Sequence, residues 1–225
     1  MNDYRDHRKR VRQRYRKEGL DDFSPIHALE ILLFYAVPQK DTKPIARALI
    51  QRFGTFHAVL EADLHQLLEV AGVGENVAVY LSLLRDVSRY YRVDCERETA
   101  ILNDPNDYGR YLMNRFVGRT KETVYLLCLD AKGKLLDCQK LGEGDMTSIN
   151  LSTRQVVELA IAARASVAVL AHNHPSGLAL PSPEDVAITH QLRDMLRMVG
   201  IHLADHIITS EEDFVSLAQS GFLGE

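Results

Sequence analysis

Apolar positions recur at helical spacing through roughly the first ninety residues, and strand-like runs follow only after that. From about Ile26 to Tyr91 the chain reads as successive helices. Ala28 to Phe34 is strongly apolar, Pro44 to Phe53 is helical and ends at Gly54, and Asp63 to Val70 forms a third segment. That segment leads through Ala71-Gly72-Val73-Gly74-Glu75-Asn76 into an apolar-rich helix from Val79 to Tyr91. A polar stretch from Asp94 to Asp107 contains Pro105, the one proline between Pro44 and Pro175, and reads as a linker. Beyond it the period changes. Tyr108 to Phe116 is one more helix, Thr123 to Leu129 a strand, Asp130 to Gly133 a turn, and Lys134 to Leu141 the hairpin partner. Thr153 to Ala165 is helical, Val167 to Ala171 is a short β-branched run, a helix starts at Ser182, and Ile201 to Ile208 is a last strand. A helical domain over residues 1–95, a linker over 96–107 and an α+β domain with a mixed sheet over 108–225 follow.

The strand at Val167 carries the chemistry. It runs into Ala171-His172-Asn173-His174-Pro175-Ser176-Gly177, and Ser182-Pro183-Glu184-Asp185 follows. Side chains two apart on a strand share a face, so His172 and His174 reach one point at its end. Ser182 reads as an N-cap with Pro183 at the first helical position. A chain returning along that helix brings Asp185 back toward the histidines. Two imidazoles and a carboxylate make a three-ligand zinc set with one position open for water. A blander account stands beside it, because Ser182 and Asp185 also form a capping box with Asp in the place of Glu or Gln. Asn173 points to the other face and serves the turn.

Composition adds bounds. At 46% hydrophobic and 26% charged, the 225 residues have the balance of a globular chain with a core. No run approaches the roughly 18 to 20 apolar residues of a membrane span. The charged N-terminus lacks the apolar stretch of a signal peptide. Cys95, Cys128 and Cys138 form no C-x-x-C and read as reduced packing residues of a cytoplasmic protein. The net charge of −4 is uneven: residues 1–17 hold eight Lys and Arg against Asp3 and Asp6, a local +6 that leaves −10 on the remainder. Such a block is a solvated tail, a helix face or a phosphate-binding arm.

The string H-x-H, seven residues, Ser, two residues, Asp resembles the JAMM (MPN+) metalloprotease pattern, matched by His172, His174, Ser182 and Asp185. HNHPSG followed by PS-x-x-D is similar to the RadC family, the bacterial branch of that superfamily. Gly200-Ile201 and Asp205-His206-Ile207-Ile208 extend the resemblance toward the end of the chain. It implies a C-terminal mixed-sheet sandwich of the cytidine-deaminase-like JAMM type and an N-terminal helix-hairpin-helix-like domain. It also implies one Zn²⁺ per chain on His172, His174 and Asp185, and a zinc hydrolase acting on a peptide or isopeptide bond. The family's catalytic Glu opens an early strand, which points to Glu122. From the residues alone, Glu143 in the loop Leu141 to Asp145 is equally placed as the base. Ser182 carries the family role of oxyanion donor, and His206 is expected to be structural or to support a ligand.

Two other readings remain open. The Gly72-Val73-Gly74 turn offers amides to a DNA phosphate without reading any base. Glu75 stands where that phosphate would dock, so a packing or partner-docking module is the counter-reading, and a DNA-repair-associated binding role through residues 1–95 competes with catalysis. A metal-dependent nuclease ranks last, because such enzymes often use two metals and several carboxylates.

Overall fold

The computed structural model describes residues 3–96, 101–144, 153–175, 177–211 and 213–224. They form two compact units that divide between Ser88 and Arg89. The first consists of α1 (Asp3–Glu18), α2 (Pro25–Ala36), α3 (Lys43–Phe53), α4 (Phe56–Glu61), α5 (Leu64–Leu68) and the start of α6 (Glu75–Glu96). Side-chain oxygens of Ser24, Thr55 and Asp63 accept the otherwise unpaired amides at the starts of α2, α4 and α5. Leu29, Leu33, Leu49, Val59, Leu67 and Leu81 are wholly buried and fuse these short helices into one core. The turn into α6 requires glycine at position 72: its φ is +85°, and a Cβ there would sit 3.1 Å from Ile45 Cγ1. Glu75 occupies the first turn of α6.

The basic N-terminus is a helix face with an anchor. Arg8 is buried, its guanidinium donates to the carbonyls of Val37, Pro38 and Lys40 at 2.5, 2.7 and 2.5 Å, and it lies 4.7 Å above the Phe34 ring. It thereby satisfies carbonyls left open beyond the end of α2.

The second unit is α7 (Pro105–Phe116), β1 (Thr123–Leu129), β2 (Leu135–Glu143), α8 (Thr153–Ala162), β3 (Val167–Asn173), α9 (Pro183–Met198), β4 (His202–Thr209) and β5 (Phe214–Ser216). The sheet order is β2-β1-β3-β4-β5, antiparallel except for the parallel pair β3–β4. This is the α+β mixed sheet expected from the sequence. Even-numbered residues of β1 and β3 (Val124, Leu126, Cys128, Ala168, Leu170) pack with Val156 and Ala160 of α8 and Leu192 and Leu196 of α9. Odd-numbered ones (Tyr125, Leu127, Leu129, Val169, Ala171) pack with Tyr108, Tyr111 and Leu112 of α7. Helices cover both faces, which explains why β1 is buried at every position and reads as a continuous apolar run.

The proposed linker over 96–107 is partly built into these elements: α6 reaches Glu96, Ile101 bridges to Lys134, and Pro105 opens α7, while 97–100 lie outside the described residues. Gly133 (φ +76°) lets the β1–β2 turn close against this segment, since a Cβ there would meet Asn103 Oδ1 at 2.2 Å. Helix α8 is shorter than the sequence pattern, because Arg164 takes a positive φ of 56° and ends it early. Cys128 is buried as expected, but Cys95 is exposed and is not a packing residue.

Candidate metal centre

The register of β1 on β3 builds the site. Val124 stands opposite His172 in an antiparallel pair, so two residues outward toward the end of β3 the same register sets Glu122 against His174. All four side chains belong to the sheet face that carries α8 and α9. Helix α9 begins on that same side, and its third residue is Asp185. Donor atoms of Glu122, His172 and His174 lie within 4.8 Å of one another. His172 Nε2 is 2.9 Å from His174 Nε2, 3.7 Å from Glu122 Oε1 and 3.4 Å from Asp185 Oδ1, and His174 Nε2 is 4.0 Å from Asp185 Oδ2. The ligand atoms of one tetrahedral zinc, each about 2.0–2.2 Å from the ion, stand roughly 3.3 Å apart. Glu122, His172 and His174 could therefore hold a single small cation, and Asp185 reaches the same two imidazole nitrogens.

Proton placement supports the fit. His174 Nδ1 lies 3.1 Å from the Leu178 carbonyl, which can only accept, so Nδ1 carries a proton and the neutral tautomer that fits this contact has Nε2 bare. Burial pushes the His172 imidazole down to about 4, with the neighbouring His174 acting the same way and Asp185 opposing it. His172 is thus neutral at pH 7, as a ligand must be. His206 is wholly buried and is also held well below its ordinary value, first by desolvation and then by His172 and His174.

The two carboxylates differ. Asp185 is buried, and its Oδ2 accepts from both the amide and the hydroxyl of Ser182 at 2.8 Å. Ser182 Oγ in turn accepts the Asp185 amide at 3.1 Å, which completes the capping box. Its one hydroxyl hydrogen is thus directed at Asp185. Glu122 has a side chain 18% exposed and stands at the open side of the group with His174. Glu143 stands opposite Thr123 at the end of β2 but is taken up by other partners: it pairs with Lys140 and, at 3.9 Å, Lys121, and the Lys140 contact holds its carboxyl below the usual range.

Glu122, His172, His174, Ser182 and Asp185 gather at this end of the sheet, whereas Glu143, the other candidate base, pairs with lysines. Ser176, in the predicted turn, lies outside the described residues. Asn173 does something the sequence did not indicate. Instead of serving its own turn, its Oδ1 accepts the buried Thr123 amide at 2.7 Å and its Nδ2 approaches the carbonyls of Lys121 and Arg119 at 3.3 and 3.5 Å. It clamps the segment that carries Glu122. His206, which the sequence marked only by its Asp-His pair, contacts His172 at 2.8 Å, whereas Asp205 turns to Ser216 and the Ala218 amide.

The second unit is thus a mixed α+β sheet domain with a His/His/carboxylate group at one end that could hold a metal ion. Residues 102–222 match the family described as the RadC-like JAB domain. Similar relatives are UPF0758 proteins from Paraburkholderia xenovorans (31% identical over 94% of this chain and 83% of that protein) and Ruegeria pomeroyi (32%, 97% and 98%). Another, from Nitrosococcus oceani, is 33% identical over 95% of this chain and 96% of its own. The chain belongs to the RadC-like JAB domain family.

Proposed function

We propose that the centre holds one zinc ion and that the protein hydrolyses a peptide or isopeptide bond. The observation that carries this reading is the convergence of two imidazole nitrogens and two carboxylates of unlike environment. Bound zinc supplies a Lewis acid that polarises a carbonyl and lowers the pKa of water toward 7. His172 and His174 offer Nε2, and Asp185 offers the carboxylate that Ser182 holds in place. Glu122 serves as the base because it is partly open to solvent and stands beside His172 and His174. Its carboxylate takes the proton of the attacking water and returns it to the leaving nitrogen. Ser182 orients Asp185, and oxyanion support from the same hydroxyl requires it to turn from that carboxylate. The test is cleavage of a peptide library by the zinc-loaded full chain. Glu122→Gln should keep zinc and lose cleavage. Equal turnover in wild type and Glu122→Gln would remove Glu122 from the mechanism.

A second reading, nucleic-acid contact through the N-terminal unit, has its own observation. Arg5, Lys9, Arg12 and Arg16 follow helical spacing along one stripe of α1 and line a groove of about 430 Å³ whose wall, among the described residues, holds no carboxylate. Backbone phosphates suit such a row and demand no base sequence. Single-stranded DNA binding by the full chain should weaken steeply with salt and be lost in Lys9→Glu/Arg12→Glu. Binding unaffected by both would dismiss it.

A further inference from the structure

His206 faces the metal centre only because β4 carries an irregularity. Leu203 stands opposite Ala168, but the next position, Val169, stands opposite Asp205, so Ala204 is an inserted residue. Leu203 packs on the α8/α9 face with Ala168 and Leu170. In a regular strand a residue three further on would point to the α7 face. The bulge shifts the alternation by one, and His206, opposite Leu170, lands on the same face as His172.

There it joins a chain of buried contacts. His172 Nδ1 is 2.8 Å from His206 Nε2, His206 Nδ1 is 2.6 Å from Thr189 Oγ1, and Thr189 Oγ1 donates to the Asp185 carbonyl at 2.5 Å. His172, His206 and Thr189 are wholly buried and Asp185 nearly so, so water does not compete for these atoms. The direction of each bond follows from counting hydrogens. A carbonyl only accepts, and the single hydroxyl hydrogen of Thr189 goes to it. Thr189 Oγ1 must then accept from His206 Nδ1–H. A neutral His206 has its Nε2 bare and accepts from His172 Nδ1–H. His172 is left with a bare Nε2, turned toward His174, Glu122 and Asp185.

We propose that Thr189 and His206 form a one-way hydrogen-bond relay, starting at the Asp185 backbone, that fixes His172 in the tautomer whose Nε2 lone pair faces the metal centre. The inference deepens the zinc reading and rests on it only for its effect on metal affinity. His206 and Thr189 are positioning residues. The relay is uncharged, unlike the carboxylate partner often found behind a ligating histidine, so it orients the ring without adding a third negative group to the Glu122–Asp185 pair. Asp185 closes the circuit, with its carbonyl setting the tautomer of His172 and its carboxylate beside the same ring.

The test has two readouts on the full chain. Long-range ¹H–¹⁵N NMR of the metal-free, histidine-labelled protein reads tautomers directly, with the His172 and His206 signals assigned from single variants. Both rings should be protonated at Nδ1, and His172 protonated at Nε2 overturns the relay whatever the metal does. Chelator competition then reads zinc affinity. Thr189→Val, which exchanges the hydroxyl for a methyl, should weaken zinc about 10- to 100-fold, while Thr189→Ser restores it. Wild-type affinity in Thr189→Val, or equal weakening in both variants, also overturns it. Failure of the wild type to bind zinc would defeat the metal reading, while the tautomer measurement would still decide the relay.

Discussion

Asn173→Ala is the substitution that ties the fold to the site most closely. Asn173 is 5% exposed, and Thr123, whose amide it accepts at 2.7 Å, is wholly buried. Truncation removes the acceptor and leaves that amide unpaired, at a cost of about 1–3 kcal/mol. The longer contacts to the carbonyls of Lys121 and Arg119 add about a few tenths each, so the expected loss is about 2–3 kcal/mol. For a chain of this size that corresponds to roughly 4–12 °C in Tm. Urea unfolding followed by circular dichroism measures it. Asn173→Asp separates the two halves of the interaction: it keeps an acceptor for the Thr123 amide but sets a carboxylate against two carbonyls, so it should be no more stable than Asn173→Ala at pH 7. The released segment carries Glu122, so Asn173→Ala should lower turnover more than zinc affinity, which His172, His174 and Asp185 retain. A stability within 0.5 kcal/mol of wild type would refute the clamp.

Acidification of the metal-free protein should be destabilising in a defined window. His172 is depressed from 6.5 to about 4, so below pH 6.5 the unfolded chain binds a proton that the folded one refuses, and stability falls until about pH 4. The cost at that end is about 3 kcal/mol from this group, measurable as a shift in urea midpoint, and a flat profile from pH 6.5 to 4.5 would contradict it. Thiol labelling should separate the cysteines. Burial pushes Cys128 up to about 12, so exposed Cys95 should react with a neutral alkylating reagent in the native protein and Cys128 only on unfolding. Fast native labelling at Cys128 would mean the β1 face is not packed as described.

Much of this arrangement is legible in the residues because its signals are local. The even spacing of His172 and His174, the Ser182-Pro183 start of α9 and the apolar run of β1 each follow from one element's own period. What was not legible depends on pairing between elements. The choice of Glu122 over Glu143 needed the β1–β3 register, which sets Glu122 against His174 and leaves Glu143 with lysines. The role of His206 needed the bulge at Ala204, which reverses the alternation that the sequence alone would assign. Asn173 does point away from the histidines as its parity requires, yet its partners lie some fifty positions earlier, where no local pattern announces them. The anchoring of the basic helix by Arg8 is similar, since a buried arginine within a run of exposed ones shows no mark in composition.

The proposed centre requires His172 and His174 to hold a metal ion. Zinc content of the purified full chain, measured by elemental analysis after reconstitution and removal of loosely bound metal, tests it most directly. One zinc per chain is expected in wild type and in Glu122→Gln, and none in His172→Ala/His174→Ala. A wild type that takes up no zinc, or a double variant that keeps a full equivalent, would contradict it.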